Sequence, residues 1–73
     1  MTTQNNNSRT FIISLNEWEN LFKPGFEEFD PSSDCKILNY DEEITDGNYL
    51  LEIETSNKEA IQFFTSREFV ELI

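Results

Sequence analysis

Asp46-Gly47 lies between two runs of strand-forming residues, and it forces the chain to reverse there. Asp-Gly is a strong hairpin signal, so residues 35–44 and 49–55 are expected to pair as antiparallel neighbours. The second run, YLLEIET, alternates cleanly. Leu51, Ile53 and Thr55 fall on one face, and Leu50, Glu52 and Glu54 on the other. Residues 9–15 (RTFIISL) form a further β-branched and aromatic run, read as a strand buried on both faces. Between these strands, Asn16 followed by Glu19 matches an N-cap with a residue able to reach back. It opens a short helix through Phe22 on which Trp18, Leu21 and Phe22 share a face, and Lys23-Pro24-Gly25 stops it.

Two patterns compete after Ser56. Ser56 with Glu59 resembles a capping box, which starts a helix at Asn57. Ser56-Asn57-Lys58 also fits a hairpin loop, with AIQFFT (60–65) alternating as a fourth strand. The strand is preferred, because Ser66 with Phe69 and Val70 offers a place for a final helix. The expected fold is a small single α+β domain over 9–73, ordered β-α-β-β-β-α. Its antiparallel meander packs against one or two short helices. A disordered polar tail, MTTQNNNS, is expected over 1–8. Leu, Ile, Val and Phe make up 21 of 73 residues, more than the ~20% below which a highly charged chain stays disordered.

Charge narrows the function classes. Fifteen Asp and Glu face five Lys and Arg, with no His, for a net charge of −10. A basic patch for nucleic acid is excluded, and no apolar run is long enough to cross a bilayer. One Cys and no His do not make a zinc site. A calcium loop fails on register. Placing Gly47 at its glycine position puts Ile44 and Ile53 where oxygen ligands belong. Two glycines rule out a phosphate-cradling loop, and no carboxylate pair or nucleophile is singled out for catalysis. The chain is therefore read as no enzyme, with no cofactor and no metal. The lone Cys35 and the absence of a signal-peptide pattern point to a cytoplasmic location, with Cys35 a half-buried small hydrophobe.

The acidity is regional. Residues 1–16 carry one Arg and no acid, whereas Glu27, Glu28, Asp30, Asp34, Asp41, Glu42, Glu43 and Asp46 stand against Lys36 alone. Aromatics interleave them, and Phe26 and Phe29 are expected as exposed anchors within an acidic rim. These ten residues form the expected partner-binding set. The expected partner is a larger protein with a basic surface, such as a nucleic-acid-binding one, with no direct contact to nucleic acid or membrane. In size and charge alone the chain resembles the small acidic inhibitors that phages and mobile elements direct against host nucleases, restriction enzymes and polymerases. No aligned residue carries that resemblance, so it transfers no site. The alternative is an accessory subunit or assembly factor. Its contact would run through an exposed apolar face or sheet edge, with the acidity serving only solubility.

Overall fold

The computed structural model describes residues 8–72, so all but Ser8 of the expected tail lies outside the described residues. Four strands and three short helices follow in the order β1 (Arg9–Ser14), α1 (Leu15–Asn20), α2 (Pro31–Asp34), β2 (Cys35–Thr45), β3 (Asn48–Thr55), α3 (Lys58–Ser66) and β4 (Glu71–Leu72). The strands form one antiparallel sheet ordered β2-β3-β1-β4. An α+β domain is the result, with the helical segments on one face of the sheet. Among the described residues no helix is long and apolar enough to cross a membrane.

The hairpin is where Asp-Gly puts it, with Thr45 opposite Asn48. Of the two turn residues, Asp46 and Gly47, only Gly47 takes a positive φ, +77°, so the turn is not the doubly left-handed type. β2 spends 11 residues where β3 spends 8, and irregularities at three places absorb the surplus. The alternation in β3 holds: Leu51, Ile53 and Thr55 are buried, and Leu50, Glu52 and Glu54 are half-buried on the opposite face. In β1 only one face is fully covered. Phe11 and Ile13 are buried, while Thr10, Ile12 and Ser14 are half-buried, so the expectation of two buried faces is corrected.

Two local readings change. The cap of α1 is Ser14, whose Oγ accepts from the Glu17 amide at 3.2 Å, rather than Asn16. Asn16 instead donates its backbone N–H to Asn48 Oδ1 at 3.0 Å and so ties α1 to the end of the hairpin. On α1 and the turn after it, Trp18 and Leu21 are buried but Phe22 is half exposed, resting edge-on against Trp18.

The larger correction concerns 60–65, a helix rather than a fourth strand. Asn57 caps it, its Oδ1 accepting from Ala60 N at 3.0 Å. Ala60, Phe63 and Phe64 then fall on one helical face and are all buried. Read with a period of two, the same residues would place Phe63 and Phe64 on opposite faces of a strand. Read with the helical period, both enter one core. Nor does a helix follow Ser66. Glu68 takes φ +62°, its N–H donates to Thr65 O, and Phe69 N–H donates to Phe64 O. These two bonds make a Schellman stop, completed by contact between the Phe64 and Phe69 rings. The chain then returns as β4 beside β1, and Ile12 N–H donates to Val70 O at 2.8 Å.

Phenylalanines from four parts of the chain fill the space between sheet and helices. Phe11, Phe26, Phe29, Phe63, Phe64 and Phe69 form a connected set with centroids 5.1 to 5.7 Å apart. Each fully buried ring contributes about 2–3 kcal/mol from area alone, and edge-to-face geometry adds to that. So large a share of aromatic volume lets a short chain build a core from few residues.

Candidate functional site

The ten expected site residues separate into two groups. The first lies between α1 and α2. Asp30 caps α2, its Oδ1 accepting from Ser32 N at 3.1 Å and from Ser32 Oγ at 2.8 Å. Those hydroxyl and amide donors from Ser32 and Ser33 hold the Asp30 carboxyl below the usual range, so it stays ionised. Asp34 closes the turn, its Oδ2 accepting from Asp30 N at 3.0 Å. Glu27 and Glu28 are exposed in the preceding loop.

Phe26 and Phe29 are not projecting anchors. Phe29 is buried and Phe26 half-buried, each packed edge-on against Phe63. The acids flanking them in sequence misdirect the reading, because the loop turns both rings inward while its carboxylates stay in water. With Leu21, Phe22 and Pro31 they border an open depression of about 500 Å³, which Lys23, Glu27 and Asp30 also line. This group is a recess with a mixed charged rim.

The second group lies on the outer part of β2 and the turn. Asp41, Glu42, Glu43 and Asp46 are all exposed. By the register with β3, at about 3.3 Å per residue, roughly 13 Å (Asp41) to roughly 25 Å (Asp46) of sheet separates them from Asp34. The structure therefore does not gather the acids into one patch. It adds neighbours that the sequence did not single out. Every residue from 38 to 45 is exposed, and Leu38 (44%), Tyr40 (53%) and Ile44 (44%) are three of the six large exposed hydrophobics among the described residues. Tyr40 meets Tyr49 edge-on at 6.1 Å. Asn39 Nδ2 donates to Asp41 Oδ1 at 2.8 Å, and Glu43 Oε2 accepts from Gly47 N at 2.8 Å.

Glu52, opposite Asn39 on β3, belongs to this group. A shared hydrogen bond with Asp41 raises its carboxyl above the ordinary value; partial burial and the Asp41 charge push the same way, and Asn39 opposes them. Two carboxylates thus stand close enough to repel, with no cation between them. The one clue in the sequence was the run Asp41-Glu42-Glu43, which interrupts any period-two pattern and marks the bulged part of β2.

The cations lie elsewhere. Arg9 clasps Glu71 at 2.6 and 2.7 Å, the one ion pair among the described residues, and Arg67 stacks on Phe63 at 4.2 Å. Lys58 and Arg9 border a shallow groove of about 520 Å³ along α3. From residue 37 to residue 57 there is no Lys or Arg, against six carboxylates. Cys35 is half-buried, and desolvation, with help from the Asp34 and Asp30 charges, pushes its thiol up to about 11. It is protonated at neutral pH and a poor nucleophile. Among the described residues no three His, Cys, Asp or Glu side chains converge as a metal site. Comparison with protein-family models, with curated proteins and with solved structures returns no match.

Proposed function

We propose that this chain is a non-enzymatic binding protein, an inhibitor or modulator that engages a basic surface on a larger protein through its carboxylates. One observation carries the reading: six carboxylates and no cation between residues 37 and 57, none of them held in an ion pair. Such charge raises the encounter rate with a basic partner and repels nucleic acid and anionic membranes. Solubility alone is served by charge scattered over a surface, whereas here the hairpin holds no cation beyond Lys36 at its start.

The test is affinity capture from the source cells, with the wild-type chain and a charge-reversed chain (E27K, E28K, D41K, E42K and E43K) as parallel baits. The expected result is a basic protein held by the wild type, released at about 1 M salt, where the Debye length falls to about 3 Å, and missing from the reversed bait. A captured set indifferent to both salt and reversal refutes the proposal. It would favour contact through an apolar face or sheet edge, as in an accessory subunit or assembly factor.

A further inference from the structure

We infer that the outer part of β2, residues 38–45, is the docking element, and that its occupant is a lysine- or arginine-rich amphipathic segment of a partner protein. The inference rests on the proposed acidic reading and selects between its two surfaces.

Three observations converge on this strand. It is a sheet edge, since β2 has β3 on one side only. Edge strands invite pairing, but the irregularities around 38, 41–42 and 44 disrupt a regular hydrogen-bond row along the free edge. Recognition here therefore runs through side chains. Leu38, Tyr40 and Ile44 are 44–53% exposed, half of all the large exposed hydrophobics described. Exposed apolar side chains on a strand that carries carboxylates and, from residue 37 on, no cation have the composition of a binding hot spot with a polar rim.

The Asp41–Glu52 juxtaposition sets the occupant's chemistry. Two like charges held together are a cost to the free protein, and one ammonium or guanidinium placed between them converts repulsion into a bridged pair. A second copy of the chain brings its own excess of carboxylates and offers little for that position. An anionic nucleic acid or lipid surface is repelled. A partner segment that carries apolar side chains among cations matches both the exposed apolar residues and the carboxylates. The recess at 26–34 is the weaker candidate, because Lys23 already lines it and Asp30 is committed to capping.

The experiment uses two synthetic helical peptides of equal positive charge, one of lysine and leucine and one of lysine and glutamine. Each is titrated into the isotope-labelled full chain, and amide shifts are followed by NMR. The lysine–leucine peptide is expected to shift residues 38–46 and Glu52, and to bind about tenfold more tightly than its glutamine counterpart. Y40S/I44S, both at exposed positions, should abolish that tenfold advantage, whereas E27K/E28K should change affinity less than about twofold. Shifts centred on 26–34, or on the groove at Lys58 and Ile61, overturn the docking assignment while leaving the acidic reading intact. Equal affinity for the two peptides overturns it as well. No salt-sensitive binding of either peptide defeats the acidic reading itself. Self-association of the free chain that Y40S/I44S removes assigns the strand to a second copy and also overturns the inference.

Discussion

Replacing Glu68 with glycine should stabilise the protein, although it removes every atom of a side chain. Glu68 sits at φ +62°, the only non-glycine residue with positive φ among those described. An L-residue in that left-handed well pays about 1–2 kcal/mol, which glycine does not. Glycine returns about 0.5–1 kcal/mol of this through the greater freedom of its unfolded chain. A negative charge also leaves the C-terminal end of α3, where it opposes the helix dipole by about 0.3–1 kcal/mol. The net expectation is about 1 kcal/mol of added stability, since the Schellman bonds of Glu68 and Phe69 are backbone bonds and survive the change. Trp18 is the single tryptophan and is buried, so urea unfolding can be followed by its fluorescence. With a slope of about 1 kcal/mol/M for so small a domain, the midpoint should rise by about 1 M. Glu68→Ala separates the causes, because alanine sheds the charge and keeps the backbone strain; its midpoint should move by less than half as much. A glycine variant no more stable than wild type, or an alanine variant equally stabilised, refutes the assignment of strain to residue 68.

Two further outcomes follow from the core and from the hairpin carboxylates. Phe64, fully buried and in contact with the rings of Phe11, Phe29, Phe63 and Phe69, should cost about 3–5 kcal/mol when changed to alanine. The half-exposed Phe22 should cost much less, and comparable midpoints for the two alanine variants in urea would contradict the packing described. Glu52 binds its proton more tightly folded than unfolded, so its contribution to stability grows as pH falls from neutral through its raised folded value toward the ordinary 4.5. Asp30 and Glu71 are lowered, and their contributions persist until pH drops below the ordinary 3.8 and 4.5 and through their folded values. Glu52→Gln should therefore stabilise the protein at pH 7 and flatten its gain on mild acidification. An unchanged pH profile in that variant, measured by urea midpoints at pH 7 and 5, would count against the Asp41–Glu52 contact.

What the sequence disclosed and what it concealed divide along physical lines. The hairpin and the inward face of β3 were legible because a turn dipeptide and a period of two are local signals, carried wholly by residues 46–55. The end of the chain was not. A helix that stops in a Schellman turn normally announces itself with glycine, and here glutamate holds that position. Without the stop signal, the apolar pair Phe69 and Val70 reads as the start of another helix, when it is the turn's hydrophobic contact and the approach to β4. Phe26 and Phe29 misled in the opposite sense. Acids on both sides suggested water, yet their burial is set by distant rings on α3 that no local window contains.

The same limit governs the acidic surface. Summed along the chain, residues 27–46 form one block of charge, but β2 runs through that block as an extended strand and carries its two ends apart. Extension is what separates them: a helix of 11 residues would span about 16 Å, whereas β2, bulged against the 8 residues of β3, spans roughly 25 Å. What the strand separates, the sheet replaces, because pairing brings Glu52 from a later segment to the side of Asn39 and Asp41. The chemically distinctive feature is then the one that linear counting could not show. It is a like-charge pair across two strands, beside Leu38, Tyr40 and Ile44 on a bulged edge. The bulges discourage indiscriminate strand pairing, the charge discourages a second copy, and the exposed apolar side chains leave a reason for one kind of partner to stay.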